Sequence, residues 1–318
     1  MRKMKTEIFI CSKPLQYLNL LNVIKTIDNN CRKVLIIIGY FANSEQFYRN
    51  VYEKTSDWDK VYYVKNKYIA FLYLFLLSSI NVYVEVDNSA VLGVVRFIKR
   101  FNVFVFEEGI GTYLPHAQRS ETLLNSFYKL LGIGETYCTS KYFKGLFLYK
   151  PEVYTKIMGK NGVPLIKMKY DFLDLVEERK EQLLAIFEID IKNDVIWTIK
   201  SKRILLYLTE WALDETILEQ IEDNKDNYDY VFIKPHPHNK VVSPLLSGYN
   251  VIATPIMAEV LIATILYNEN ELTVYHQGST SVIYFGGEIK SIVFPSKDIS
   301  VTSYNGLDFQ SLSILFCQ

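Results

Sequence analysis

At 318 residues, with 49% hydrophobic and 22% charged side chains, the chain is globular rather than disordered and long enough for two well-buried cores. Lys plus Arg and Asp plus Glu both total 35, so no net charge recruits nucleic acid or an anionic membrane. Cys11, Cys31, Cys138 and Cys317 show neither CxxC nor zinc-ligand spacing and read as reduced thiols of a cytoplasmic protein. The segment Met1 to Leu21 carries early Lys and Arg, but Lys13, Pro14 and Gln16 interrupt its apolar run, so no signal peptide is expected. The 24 Tyr and 19 Phe suit sugar-stacking walls and, more commonly, thick cores.

Strand and helix signals alternate from the start. Thr6 to Cys11 is a buried strand, Leu15 to Ile27 a helix after Pro14, Val34 to Ile38 a strand closed by Gly39, and Ser44 to Tyr52 a helix. Val61 to Val64 is a strand, and Tyr68 to Leu77 is too short to span a bilayer and reads as a buried helix in preference to a membrane-apposed one. Val82 to Val86 is a strand, Ala90 to Arg100 a helix, Val103 to Phe106 a strand, and Thr122 to Leu131 a helix with Ser120 before it as N-cap. Thr139 to Lys169 reads as irregular, and Phe172 to Phe187 as a charged, amphipathic connector helix. The pattern then restarts with strands at Arg203 to Leu208, Tyr228 to Ile233, Asn250 to Ala253, Leu272 to Tyr275 and Ser291 to Phe294. Helices are expected at Asp214 to Glu222, Ala258 to Leu266 and Thr280 to Phe285. Such alternation predicts parallel sheets with helices on both faces. The expectation is an α/β fold of two Rossmann-like, doubly wound domains facing a cleft, the architecture called GT-B. The expected boundaries are an N-terminal domain over 1–170, a connector over 171–200 and a C-terminal domain over 201–318.

Three strand ends carry chemistry. Tyr230-Val231-Phe232-Ile233 leads into Lys234-Pro235-His236-Pro237, where two prolines hold the histidine on a stiff, extended segment past the strand. Open α/β sheets bind ligands at such ends. Val103 to Phe106 leads into Glu107-Glu108-Gly109, whose glycine permits a sharp turn and whose adjacent acids favour one raised pKa suited to accepting a proton. Exposed turn acids are the plainer reading. Leu272 to Tyr275 leads to Gly278-Ser279-Thr280-Ser281 at a helix start, where amides and hydroxyls cradle phosphate or merely cap the helix. Glu259, in the first turn of its helix, takes ribose hydroxyls or complements the helix dipole. His236-x-His238 and Glu85-x-Asp87 are poor metal motifs, so no metal is expected, and His116 and His276 read as structural.

Together Phe106-Glu107-Glu108-Gly109, Lys234-Pro235-His236-Pro237 and Ser279-Thr280 resemble the acidic-acidic-Gly, His-Pro and Ser-Ser/Thr motifs of bacterial GT-B sialyltransferases. With the early Cys11-Ser12-Lys13-Pro14-Leu15-Gln16 turn, the chain looks most like glycosyltransferase family 52, which includes lipooligosaccharide α-2,3-sialyltransferases and capsule-locus relatives. Its Ser-Lys-Pro stands where relatives often have Ser/Thr-Thr-Pro. Polysialyltransferases and Pasteurella-type enzymes share the three motifs. The resemblance implies inverting transfer of sialic acid from CMP-sialic acid to a terminal galactose of a bacterial surface glycan. With a single phosphate in that donor and no convincing DxD motif, no metal or other cofactor is expected. It implies that Glu107 deprotonates the acceptor, as in the Pasteurella-type enzymes, or that an aspartate before the His-Pro motif does so, here Asp214. It further implies that His236 protonates or hydrogen-bonds the departing phosphate, Ser279 and Thr280 hold it, and Glu259 holds the ribose. Association with the inner membrane face and a homodimer are compatible with this reading. Its rivals are a CDP-glycerol- or ribitol-type polymer transferase and a non-catalytic nucleotide-binding scaffold.

Overall fold

The computed structural model describes residues 5–27, 30–77, 81–113, 123–159, 162–189, 195–210, 213–236, 243–254, 256–294, 303–304, 307–308 and 315–316. His116, Ser120, Pro237, His238, Pro255 and Cys317 lie outside them. The chain divides into two compact units, Met1–Asp171 and Phe172–Gln318.

The first unit runs β1 (Thr6–Cys11), α1 (Pro14–Ile27), β2 (Arg32–Ile38), α2 (Ser44–Lys54), β3 (Lys60–Val64), α3 (Lys67–Leu76), β4 (Asn81–Val84), α4 (Ala90–Lys99) and β5 (Asn102–Phe106). It continues through α5 (Leu123–Leu130), β6 (Phe143–Leu148), α6 (Pro151–Met158) and β7 (Leu165–Lys167). The seven strands are parallel, in the order β3-β2-β1-β4-β5-β6-β7. β1 is central and its residues Glu7 to Cys11 are all buried, as a strand covered on both faces requires. Ile8 and Ile10 join the core beneath α3 and α4. Phe9 points the other way and stacks on Tyr83 at 4.5 Å, with Trp58 against its edge at 5.2 Å. The tyrosines are core material: Tyr17, Tyr83, Tyr113, Tyr142, Tyr154 and Tyr207 are all fully buried.

Helix α1 begins on Pro14, whose fixed φ suits a first helical position. It is buried from Gln16 through Ile24, so its polar side chains must find partners. Asn19 Nδ2 donates to the Glu107 carbonyl at 2.6 Å and its Oδ1 accepts from Tyr149 Oη at 2.9 Å. Asn22 bonds both backbone groups of Tyr170, at 2.8 and 3.1 Å. These bonds tie α1 to the turns after β5 and β7.

Two expectations need correction here. The stretch Thr139 to Lys169 is not irregular, for it forms β6, α6 and β7. Lys144 and Gly145 break the apolar run of β6, and β7 has only three residues, so neither shows a strand periodicity. Helix α3 is buried on one side only: Ala70, Phe71 and Leu74 face the core while Tyr68, Leu72 and Leu76 stand exposed.

The second unit contains α7 (Phe172–Glu178), α8 (Lys180–Ile186), β8 (Arg203–Leu208), α9 (Glu215–Asn224), β9 (Tyr230–Lys234), β10 (Asn250–Val251), α10 (Ala258–Tyr267), β11 (Glu271–His276) and β12 (Lys290–Val293). Its parallel sheet is ordered β10-β9-β8-β11-β12. β13 (Ser303–Tyr304) and β14 (Leu307–Asp308) form a short antiparallel pair. The expected connector helix is two helices broken at Arg179, and both bury residues within this unit. Phe172 stacks on Tyr284 at 4.6 Å, which anchors α7 beside the turn after β11. Thr280–Phe285 is a six-residue 3-10 helix rather than an α-helix. Each sheet places its first strand between its second and fourth, so each has a topological switch point, at β1/β4 and at β8/β11.

Candidate active site

At the first switch point the strand ends gather five polar side chains. Ser12 follows β1 and Glu85 follows β4, and Ser12 Oγ donates to Glu85 Oε2 at 3.2 Å. Gln16, one turn into α1, donates from Nε2 to Glu85 and, at 3.1 Å, to Glu108 Oε1. Its own Oε1 accepts from the Ser12 amide at 2.6 Å. Lys13 pairs with Glu108. Burial, and then the Glu108 charge, raise the Glu85 pKa, while Gln16, Ser12 and Lys13 oppose the rise. Glu85 therefore holds a proton to higher pH than an exposed glutamate.

The two acids of the turn after β5 have different surroundings. Glu107 is 0% exposed, and its Oε2 accepts from Tyr113 Oη and from the Tyr149 amide at 2.9 Å. The side chain of Glu108 is 36% exposed, and its amide is held by Thr112 Oγ1 at 2.9 Å. Gly109 has φ 137°, the left-handed side that turns the chain away after the pair. Glu107 is a buried brace, and Glu108 carries the accessible carboxylate.

Asp87, the second acid of Glu85-x-Asp87, is also structural. Its two carboxylate oxygens accept from the Cys138 and Ser140 amides at 2.7 and 2.9 Å. Among the described residues, no group of three or more His, Cys, Asp or Glu side chains is placed to hold a metal ion.

At the second switch point the predicted residues arrive on separate strand ends. The His236 amide donates to Thr209 Oγ1 at 3.0 Å, which fixes the Lys234-Pro235-His236 segment to the end of β8. Lys234 is 6% exposed, and its ammonium donates to the Thr254 carbonyl at 2.9 Å. Burial pushes its pKa down to about 8. Below that pH both folded and unfolded chains carry the charge, and the folded state bears the desolvation cost; raising the pH from about 8 to 10.5 relieves it. The shift corresponds to about 3 kcal/mol. Lys234→Met should raise the thermal stability of the ligand-free protein by about 1–3 kcal/mol. The same change should weaken binding of a phosphate-bearing nucleotide, and calorimetry on both properties checks the opposition.

Asp214 is the N-cap of α9. Its Oδ1 accepts from the Thr216 amide at 3.0 Å and its Oδ2 from Gln277 Nε2 at 3.0 Å, across the switch point. With both oxygens engaged and only 8% exposure, Asp214 is placed as a brace. Glu259 is buried at the start of α10, where burial raises its pKa, and its Oε1 accepts from Ser281 Oγ at 2.9 Å. Glu259 and the Ser279-Thr280-Ser281 turn are thus brought together, with Ser281 turned to Glu259.

The amides expected to be free for a phosphate are engaged within the fold. His276, fully buried at the end of β11, accepts on Nδ1 from the amides of Gly278 and Ser279, both at 3.0 Å. Its Nε2 therefore carries the proton and donates to Ser291 Oγ at 2.7 Å. Gly278 has φ 108°, which brings two successive amides onto one nitrogen. The half-buried Ser279 and Thr280 make no side-chain hydrogen bond among the described residues, so their hydroxyls remain as donors.

Burial drives the His276 pKa down from 6.5 to about 4. The unfolded chain gains this proton near pH 6.5 and the folded chain only near pH 4, so stability falls as pH drops through that window, by about 3 kcal/mol. Chemical denaturation from pH 7 to 4.5 should show a steeper loss in the wild type than in His276→Asn, and parallel profiles would refute this.

Gln16, Glu85, Thr209, His276 and Gln277 escaped sequence reasoning as site residues. Only their positions signalled them: Glu85, Thr209 and Gln277 directly follow strands, His276 ends one, and Gln16 lies in the first turn of the helix after β1.

No family model matches the chain, and no curated protein matches it. Solved structures do. The α/β-galactoside α-2,3-sialyltransferase of Photobacterium phosphoreum superposes with a TM-score of 0.61 at 13% identity, covering 100% of this chain and 97% of that one. The chain has the GT-B fold. UDP-N-acetylglucosamine 2-epimerase from Rickettsia bellii is similar at TM-score 0.56 and 11% identity, over 99% of this chain and 89% of that one. The wall teichoic acid polymerase TagF is similar at 0.54 and 11%, over 97% and 74%. At these identities the likeness establishes the fold.

Proposed function

We propose that this GT-B protein is an inverting glycosyltransferase that moves sialic acid from CMP-sialic acid to a terminal galactose of a bacterial surface glycan, forming an α-2,3 linkage without a metal. The reading rests on one observation above all. The Lys234-Pro235-His236 segment and the Ser279-Thr280 hydroxyls stand at the carboxyl edge of one sheet, around a switch point, with the buried Lys234 ammonium bonded to a backbone carbonyl. Such a set suits a single phosphate, which would supply Lys234 with a counter-charge. Resemblance of the motifs to family 52 supports the same donor, and the Photobacterium phosphoreum structure of like fold is that of an α-2,3-sialyltransferase.

In this proposal the acceptor hydroxyl oxygen bonds to the anomeric carbon while the bond from that carbon to the phosphate oxygen breaks, and CMP leaves with the electron pair. The acceptor proton passes to Glu108, the accessible acid, while Glu107 holds the turn and Asp214 holds Gln277. His236 donates to the departing phosphate, Ser279 and Thr280 hold it, and Glu259 takes the ribose. Stabilising the leaving charge is the larger share of the catalysis.

A second reading, a CDP-glycerol- or ribitol-type polymer transferase, is favoured by the likeness to TagF. Incubation with CMP-sialic acid or CDP-glycerol, each with a galactoside panel and a glycerol-phosphate acceptor, separates the two by product mass. The expected product is a sialylated galactoside formed equally in EDTA. Transfer from CDP-glycerol alone, or activity abolished by EDTA and restored by Mg²⁺, would refute the corresponding part of the proposal.

A further inference from the structure

Helices α3 and α4 lie side by side on one face of the first sheet, above a shared apolar core. Their outer side is also apolar. On α3, Tyr68 (55%), Leu72 (55%) and Leu76 (79%) recur every four residues and form one exposed stripe. On α4, Phe97 (57%) and Ile98 (62%) are as open. On α5, whose Tyr128 packs against the same core, Phe127 and Leu130 continue the exposure at 52% and 78%. Large apolar side chains clustered in this way on adjacent helices mark an interaction surface.

The charges around the face choose the partner. Segments 65–77, 90–100 and 123–130 contain no Asp or Glu, yet they hold Lys65, Lys67, Arg96, Lys99, Arg100 and Lys129. Lys65, Lys67, Lys99 and Arg100 are exposed. Lys129 is paired with Glu135 at the margin, and Arg96 lies over the Tyr142 ring at 5.6 Å. Neutrality of the whole chain thus conceals a basic, apolar face. A second copy docked symmetrically on this face would bring like charges together. An apolar face with a basic margin matches the surface of a bilayer with anionic headgroups, where side chains enter the acyl boundary and lysines meet the headgroups. No helix among the described residues is long and apolar enough to cross a membrane.

We infer that the α3–α4–α5 face is a docking surface for an anionic lipid bilayer. This inference is independent of the donor and acceptor assigned above. Vesicle co-sedimentation, with phosphatidylcholine alone or with added phosphatidylglycerol, tests it. The wild type is expected to bind the anionic vesicles at least about tenfold more tightly, with affinity falling as salt rises. Leu72→Glu combined with Phe97→Glu should weaken binding about tenfold or more while leaving the melting temperature unchanged, since both side chains are exposed. Lys67→Glu combined with Lys99→Glu should remove the preference for anionic vesicles. Absence of vesicle binding at physiological salt, wild-type binding by the Leu72/Phe97 variant, or light scattering that shows a dimer dispersed by that variant in place of vesicle binding would each overturn the inference.

Discussion

On the proposed function, His236→Ala is expected to lower the turnover of sialyl transfer by about 10²–10⁴-fold while leaving CMP binding within a few-fold of wild type. The histidine is placed by backbone, through its amide on Thr209 Oγ1 and through the prefixed φ of Pro235, so removing the imidazole leaves the loop in place. In the proposed mechanism the variant loses the donor to the leaving phosphate, whose charge develops only as the bond breaks. The interaction therefore belongs to the transition state more than to the bound ground state. A companion change, Thr209→Val, removes the hydroxyl that holds the His236 amide. It should reproduce part of the loss by displacing an intact imidazole. Initial rates with saturating donor, set beside calorimetric CMP affinity, decide the matter. A His236→Ala enzyme with near-normal turnover would remove the centre of the proposed mechanism.

The two adjacent glutamates should separate just as sharply. Glu108→Gln is expected to cut turnover by about 10²–10⁴-fold with little change in unfolding, because its carboxylate is accessible. Glu107→Gln should destabilise the first unit by about 1–3 kcal/mol, since the amide replaces a buried carboxylate that accepts from Tyr113 Oη and the Tyr149 amide. Its remaining activity should recover at low temperature, where the fold is restored. Melting curves and rates on both variants give a double dissociation. Loss of turnover in a fully stable Glu107→Gln, with Glu108→Gln active, would reverse the assignment.

Most elements of both sheets were legible from periodicity, because buried parallel strands such as Thr6–Cys11 and Arg203–Leu208 are nearly uninterrupted apolar runs. Strand β7, with three residues, and β6, with Lys144 and Gly145 inside it, are stabilised by neighbouring strands rather than by their own pattern. The site was legible in part for a related reason. Sequence placed Glu107, Glu108, His236 and Ser279 at strand ends, but nothing local distinguishes the buried acid of a pair from the exposed one. Tyr113 and Tyr149, which claim Glu107, are set by tertiary packing. Likewise, the order His276-Gln277-Gly278-Ser279 does not announce that one imidazole nitrogen takes both following amides. That depends on the positive φ of Gly278 and on Ser291 across the sheet.

The position of β1 between β2 and β4 bears on how the chain is made. Glu7 of β1 pairs with Asn81 of β4, so one edge of this buried strand has no partner until that distant segment has left the ribosome. The second unit repeats the arrangement, with Glu271 of β11 closing onto Arg203 of β8. Neither sheet contains a hairpin that could zip locally, and every closure is a long-range event with its own loop entropy. Folding of each half therefore waits on its fourth strand, and during that interval the open edge of the central strand is the chain's point of exposure to aggregation.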